Sequence, residues 1–145
     1  MQQFYKRSNP RQLNEHRFWC ISELYKSYKC KKPNSVTRIE SGTFNDCSCL
    51  TEIDIPDNLT YIGSYAFSEC NSLTSITIPD SVTSIYNHAF NECAQLTSVT
   101  FINTSGWSYA STTSITSIST SDLTNVSIAA KYLTTTYKYY YWYRN

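Results

Sequence analysis

A 23-residue period constrains this chain more than any other feature. Phe44, Phe67 and Phe90 are 23 apart, and so are Cys47, Cys70 and Cys93 and Leu50, Leu73 and Leu96. The same interval links Ile53, Ile76 and Val99, and again Ile55, Ile78 and Phe101. Ahead of each phenylalanine, Val36, Leu59 and Val82 are followed by Ile39, Ile62 and Ile85. Pro33, Pro56 and Pro79 mark one corner of every unit. A fixed period of about 20–50 residues is the signature of a repeat architecture.

The unit can be built from its spacing. Ile53-Asp54-Ile55 alternates, so both isoleucines point to one side of a short strand. Pro56 lacks an N–H and ends it, and Asp57-Asn58 form turns. Leu59 and Ile62 begin a second short extended or turn segment. Residues 64–70 carry apolar side chains at a spacing of three, which predicts one helical or 3₁₀ turn. Each unit holds too few apolar side chains to offset the entropy of ordering its backbone alone. The coils must stack, with parallel strands near 52–55, 75–78 and 98–101 pairing about 4.8 Å apart.

The units GTFNDCSCLTEIDIPDNLTYI, SYAFSECNSLTSITIPDSVTSI and NHAFNECAQLTSVTF resemble the BspA-type leucine-rich repeat of bacterial surface proteins, also found in some parasitic protists. The resemblance covers residues 33–102 and implies a right-handed leucine-rich-repeat solenoid of about three coils. Two departures stand out: Thr43 occupies the place of Ala66 and Ala89, and upstream the strand isoleucines would fall at Cys30 and Lys32. The resemblance also implies an extracellular or cell-surface protein used for adhesion or host contact. It implies no ligand.

Three regions follow: a basic segment over 1–32, the repeats over 33–102, and a Ser/Thr- and Tyr-rich stretch over 103–145. Residues 1–40 carry nine basic and three acidic side chains, whereas 41–145 carry three basic and eight acidic. The basic arm reads as a solvated segment, and no nucleic-acid partner is expected. Within it, Phe18, Ile21, Leu24, Tyr25 and Tyr28 fall on one helical face, either as an N-terminal cap or as an imperfect first repeat. No apolar run of a secretory signal follows Met1. The chain is therefore expected to be intracellular or to begin inside a longer reading frame, and the repeats favour the second. The alternation in residues 114–118 predicts a strand. The closing run holds Trp142 and five tyrosines in its last nine residues. They are read as a cap on the last coil and also as a contact face able to self-associate.

Chemistry finds little purchase. Cys47, Cys70 and Cys93 are expected to form a ladder of buried thiols, because stacked equivalents keep the strand spacing rather than the about 3.8 Å of a disulfide. Cys20, Cys30 and Cys49 lie outside that ladder. There is no zinc-type cysteine pair, and His16 and His88 occupy unrelated settings, His88 on the exposed side of the predicted turn. No catalytic residue, metal or cofactor is expected: no nucleophile elbow exists, and Glu52 and Asp54 are replaced by Ser75/Thr77 and Ser98/Thr100 in later units. Asn58, Asn103 and Asn125 open N-glycosylation patterns that arise easily in a Ser/Thr-rich chain. No stretch is long and apolar enough to span a membrane.

The expected function is a non-enzymatic interaction protein binding another protein, matrix or glycan through the exposed strand face. Its side chains would be Glu52, Asp54, Ser75, Thr77, Ser98 and Thr100. The alternatives are an intracellular interaction scaffold and a truncated repeat fragment that self-associates.

Overall fold

A computed structural model describes residues 36–111 and 114–144. The units stack along two parallel ladders. In one, β1 (Arg38–Ile39), β2 (Tyr61–Ile62) and β4 (Ser84–Ile85) pair in register, Ile39 with Ile62 and Ile62 with Ile85. In the other, β3 (Ser75–Ile78) pairs with β5 (Ser98–Phe101), setting Ile76 on Val99 and Ile78 on Phe101. Both strands of the second ladder alternate buried isoleucine, valine or phenylalanine with outward Ser and Thr, as period-two spacing requires.

Residues 52–55, expected to be a third strand of that ladder, are not one. Only Thr51 reaches across, its carbonyl accepting from the Thr74 N–H at 3.5 Å. Glu52 and Asp54 are exposed here, and Asp is among the residues that strands disfavour.

The helix-like spacing of residues 64–70 is also not a helix. The chain instead runs through successive tight turns, with Ala66 N–H bonded to Gly63, Ser68 to Tyr65 and Cys70 to Phe67. Two positions per unit have left-handed backbone: Gly42, Tyr65 and His88, then Asp46, Glu69 and Glu92, with φ between 57° and 69°. That geometry interrupts a helix and costs a non-glycine residue about 1–2 kcal/mol. In exchange, the intervening amides turn outward to the next unit: Phe44 N–H donates to Ala66, Phe67 to Ala89 and Glu69 to Asn91, each at 2.7–2.8 Å.

Inside, Phe44, Phe67 and Phe90 stack with centroids 5.2 Å apart and planes within 9°. Phe67 is 0% exposed, with Leu59, Ile62, Cys70 and Leu73 around it equally closed.

The C-terminal segment adds six elements around the last unit. Strands β6 (Trp107–Ala110), β7 (Ile115–Ser117) and β8 (Tyr141–Arg144) extend the first ladder antiparallel, giving the order β1-β2-β4-β8-β6-β7. Strand β7 lies within the alternating stretch 114–118. Two short helices, α1 (Thr120–Thr124) and α2 (Val126–Lys131), are followed by a π-helical turn at Tyr132–Thr136. Their Ser- and Thr-rich sequence carries little helical signal. Asn125 caps α2, its side-chain oxygen accepting from the Ser127 and Ile128 amides, and the helix packs beside β5. The helical face proposed for residues 18–28, with Cys20 and Cys30, lies outside the described residues.

Gly63 marks a close approach between units. A Cβ there would meet the backbone of Ser41 at 2.5 Å, although the equivalent positions hold Glu40 and Tyr86. Gly63→Ala is expected to lower unfolding free energy by about 1–3 kcal/mol in urea titrations, and an unchanged midpoint would contradict this packing.

Candidate interaction surface

The paired strands bring four of the six expected residues together. Ser75 sits opposite Ser98 and Thr77 opposite Thr100, forming a two-by-two hydroxyl array on the outer side of β3 and β5. Ser75, Thr77 and Thr100 are exposed and Ser98 half-buried. Glu52 and Asp54 are exposed but stand outside the paired strands, so the structure does not join them to that array.

A second surface escaped the sequence reading. Arg38 lies over the Tyr61 ring at 3.9 Å, Tyr61 meets Tyr86 at 4.8 Å, Tyr86 meets Tyr141 at 4.6 Å, and Tyr141 stacks on Tyr143. Beside it, Tyr65 stacks on His88 at 4.8 Å and His88 meets Tyr139 edge-on at 4.9 Å. His88 is thus half-buried between two tyrosines rather than exposed. Tyr61 and Tyr86 are 25 apart and so hidden from a 23-residue search, but Tyr65 and His88 keep the period and offered a signal.

The closing aromatics divide between core and surface. Trp107 and Trp142 are each 1% exposed and pack on Phe101, with centroids 5.2 and 6.3 Å away. Their indole N–H groups donate to the carbonyls of Asn103 and Tyr137. Tyr139 is 62% exposed. The Tyr132 hydroxyl donates to Asp122, and that bond together with burial pushes its pKa up to about 12.

The cysteines of the period, Cys47, Cys70 and Cys93, are buried, and Cys49 is exposed. Each of the later two thiols donates to a phenylalanine carbonyl of the preceding unit, Cys70 to Phe44 at 3.2 Å and Cys93 to Phe67 at 3.0 Å. Burial pushes the Cys93 thiol up to about 12, which leaves it inert at neutral pH. Among the described residues, no group of three His, Cys, Asp or Glu is placed to hold a metal ion, and no helix is long and apolar enough to cross a membrane.

At the far corner, Arg144 of β8 holds Asp80 through the carboxylate at 2.8 Å and through its backbone carbonyl, and Asn103 donates to the same oxygen at 2.9 Å. These bonds, led by Arg144, keep the Asp80 carboxyl below its ordinary range. A depressed carboxyl adds stability above its unfolded pKa, and that stability is lost as pH falls through the folded value. The melting temperature of Arg144→Ala should therefore lie below that of the parent at pH 7, and the gap should narrow below pH 4, where only the bond to the Asp80 backbone carbonyl is left. A gap of the same size in acid would contradict the pairing. Alkylation mapped by mass spectrometry should modify Cys49 first and reach Cys47, Cys70 and Cys93 only as the fold opens; early labelling of Cys93 would contradict its burial.

The family described as a BspA type leucine rich repeat region matches residues 14–142, in six copies. No curated protein and no solved structure matches the chain.

Proposed function

Because the chain belongs to the BspA-type leucine-rich repeat family, we propose that it is a non-enzymatic interaction protein of the cell surface or secreted space. Its role is adhesion or host contact. Proteins of this repeat class typically serve as interaction modules, and membership supports protein binding rather than catalysis. The ligand is a protein, matrix component or glycan, and it lies across the outer side of β3 and β5. The observation that carries this reading is the registered array of Ser75, Thr77, Ser98 and Thr100, which repeats one pattern of hydroxyls from unit to unit. Glu52 and Asp54, exposed on the preceding unit but outside the paired strands, belong to the proposed face as its acidic end.

Three coils over residues 33–102, closed by a cap over 103–145, complete the proposal. It is supported by three places where the C-terminal segment stands in for a further unit. Arg144 N–H donates to Thr83 as Thr83 does to Thr60 and Thr60 to Thr37. Tyr141 continues the Tyr61–Tyr86 row, and Tyr139 continues the Tyr65–His88 row. The Tyr-rich strand β8 lies between β4 and β6, so its edges are paired and only its side chains are left for self-association.

Asp54→Lys combined with Thr77→Lys tests the site. Against immobilised matrix proteins and a glycan array, the double variant should lose at least tenfold in affinity for any ligand the parent binds, with an unchanged melting temperature. Binding that survives the double change removes the strand face as the site.

A further inference from the structure

Among the described residues, His88 alone has a buried side-chain polar atom left without a partner, its Nδ1. The ring is held between Tyr65 of the preceding unit and Tyr139 of the C-terminal turn. Its backbone N–H donates to the Lys138 carbonyl, the place that Ser64 fills for Gly42 one unit apart from its neighbour. The same turn is fixed again three residues on, where Lys138 Nζ donates to Asn91 at 3.0 Å, and the ammonium lies 5.1 Å from the Tyr139 ring. Residues 138–139 thus grip the last repeat at His88 and Asn91.

We propose that His88 is an acid-sensitive latch, whose protonation releases residues 137–140 from the last repeat. A second proton would sit on a buried nitrogen that faces no acceptor, and it would place a cation beside Lys138. The groups around the ring offer no relief. The preceding unit contributes the neutral Tyr65 and the C-terminal turn contributes Tyr139 and the cationic Lys138. On its own unit, the Glu92 carboxylate is engaged by the Asn91 amide. Burial first, and then Lys138, favour the neutral ring and hold the His88 pKa below its usual value. The unfolded chain takes up its proton near the ordinary 6.5, so the contact is fully present above that pH and is lost as pH falls through the lower folded value.

Release of the turn would bare the His88 ring beside the already exposed Tyr65 and leave the second aromatic row one member shorter. The inference concerns the end of the array and holds whichever ligand the strand face takes.

Hydrogen–deuterium exchange of the whole chain tests it, with rates corrected for the intrinsic effect of pH. Between pH 7.5 and 5.5, protection of peptides covering 137–140 should fall about three- to fivefold, within the roughly tenfold ceiling that one imidazole of ordinary pKa 6.5 in the released state sets, while that of 96–102 stays unchanged. His88→Asn keeps a residue that tolerates left-handed backbone and should remove the pH dependence. Unchanged protection in the parent at pH 5.5, or an undiminished loss in His88→Asn, would overturn the latch. Should the variant fail to fold, the imidazole titration of the parent by NMR decides: a value below 6.5 supports the latch and an ordinary or raised one overturns it.

Discussion

Every second amide along the turn of a repeat donates to the neighbouring unit rather than to its own. The Phe67 and Glu69 amides leave their coil for Ala89 and Asn91, while Ala66, Ser68 and Cys70 close tight turns at home. Two left-handed residues per unit make that division possible, and only one of the six positions is a glycine. The local strain is therefore sustained by stacking, since without a neighbour those amides would lose their acceptors and the strained residues their compensation. The phenylalanine stack and the thiol bonds of Cys70 and Cys93 follow from the same register, because equivalent side chains can meet only where the backbones are locked at one spacing.

An array built this way has ends, and the described end is closed unequally. The ladder through β4 is continued by an antiparallel strand, β8, with Trp142 opposite Ile85 and Tyr143 opposite Ser84. The ladder through β5 receives no further strand and has α2 beside it. The two tryptophans close the space between, over Phe101. The antiparallel arrangement lets one chain reverse direction and still satisfy the amide and carbonyl groups of a parallel edge.

Much of this was legible in the residues. The period placed the core, because Phe44, Cys47, Leu50 and their equivalents differ from their surroundings in hydropathy and recur without drift. The strand at 75–78 followed from alternation. The turn at 64–70 did not, since helical spacing and a run of tight turns put apolar side chains at similar intervals, and only backbone handedness separates them. Residues 52–55 failed as a strand although β3 follows one unit on, because alternation reports which way side chains face and not whether the backbones pair. The helices at 120–131 were obscured by Ser and Thr, residues with weak helix preference that are held here by tertiary contacts around Leu123, Ala129 and Ala130. The hydroxyl array could be named by number from the sequence, whereas the tyrosine rows needed the stacking of whole units.

Mutual support between units is tested most directly by Phe67→Ala, which empties the centre of the stack. The account predicts one cooperative transition, shifted by about 3–5 kcal/mol, with amide protection falling in the units on both sides. Two separate transitions, or a loss confined to residues 59–73, would contradict it.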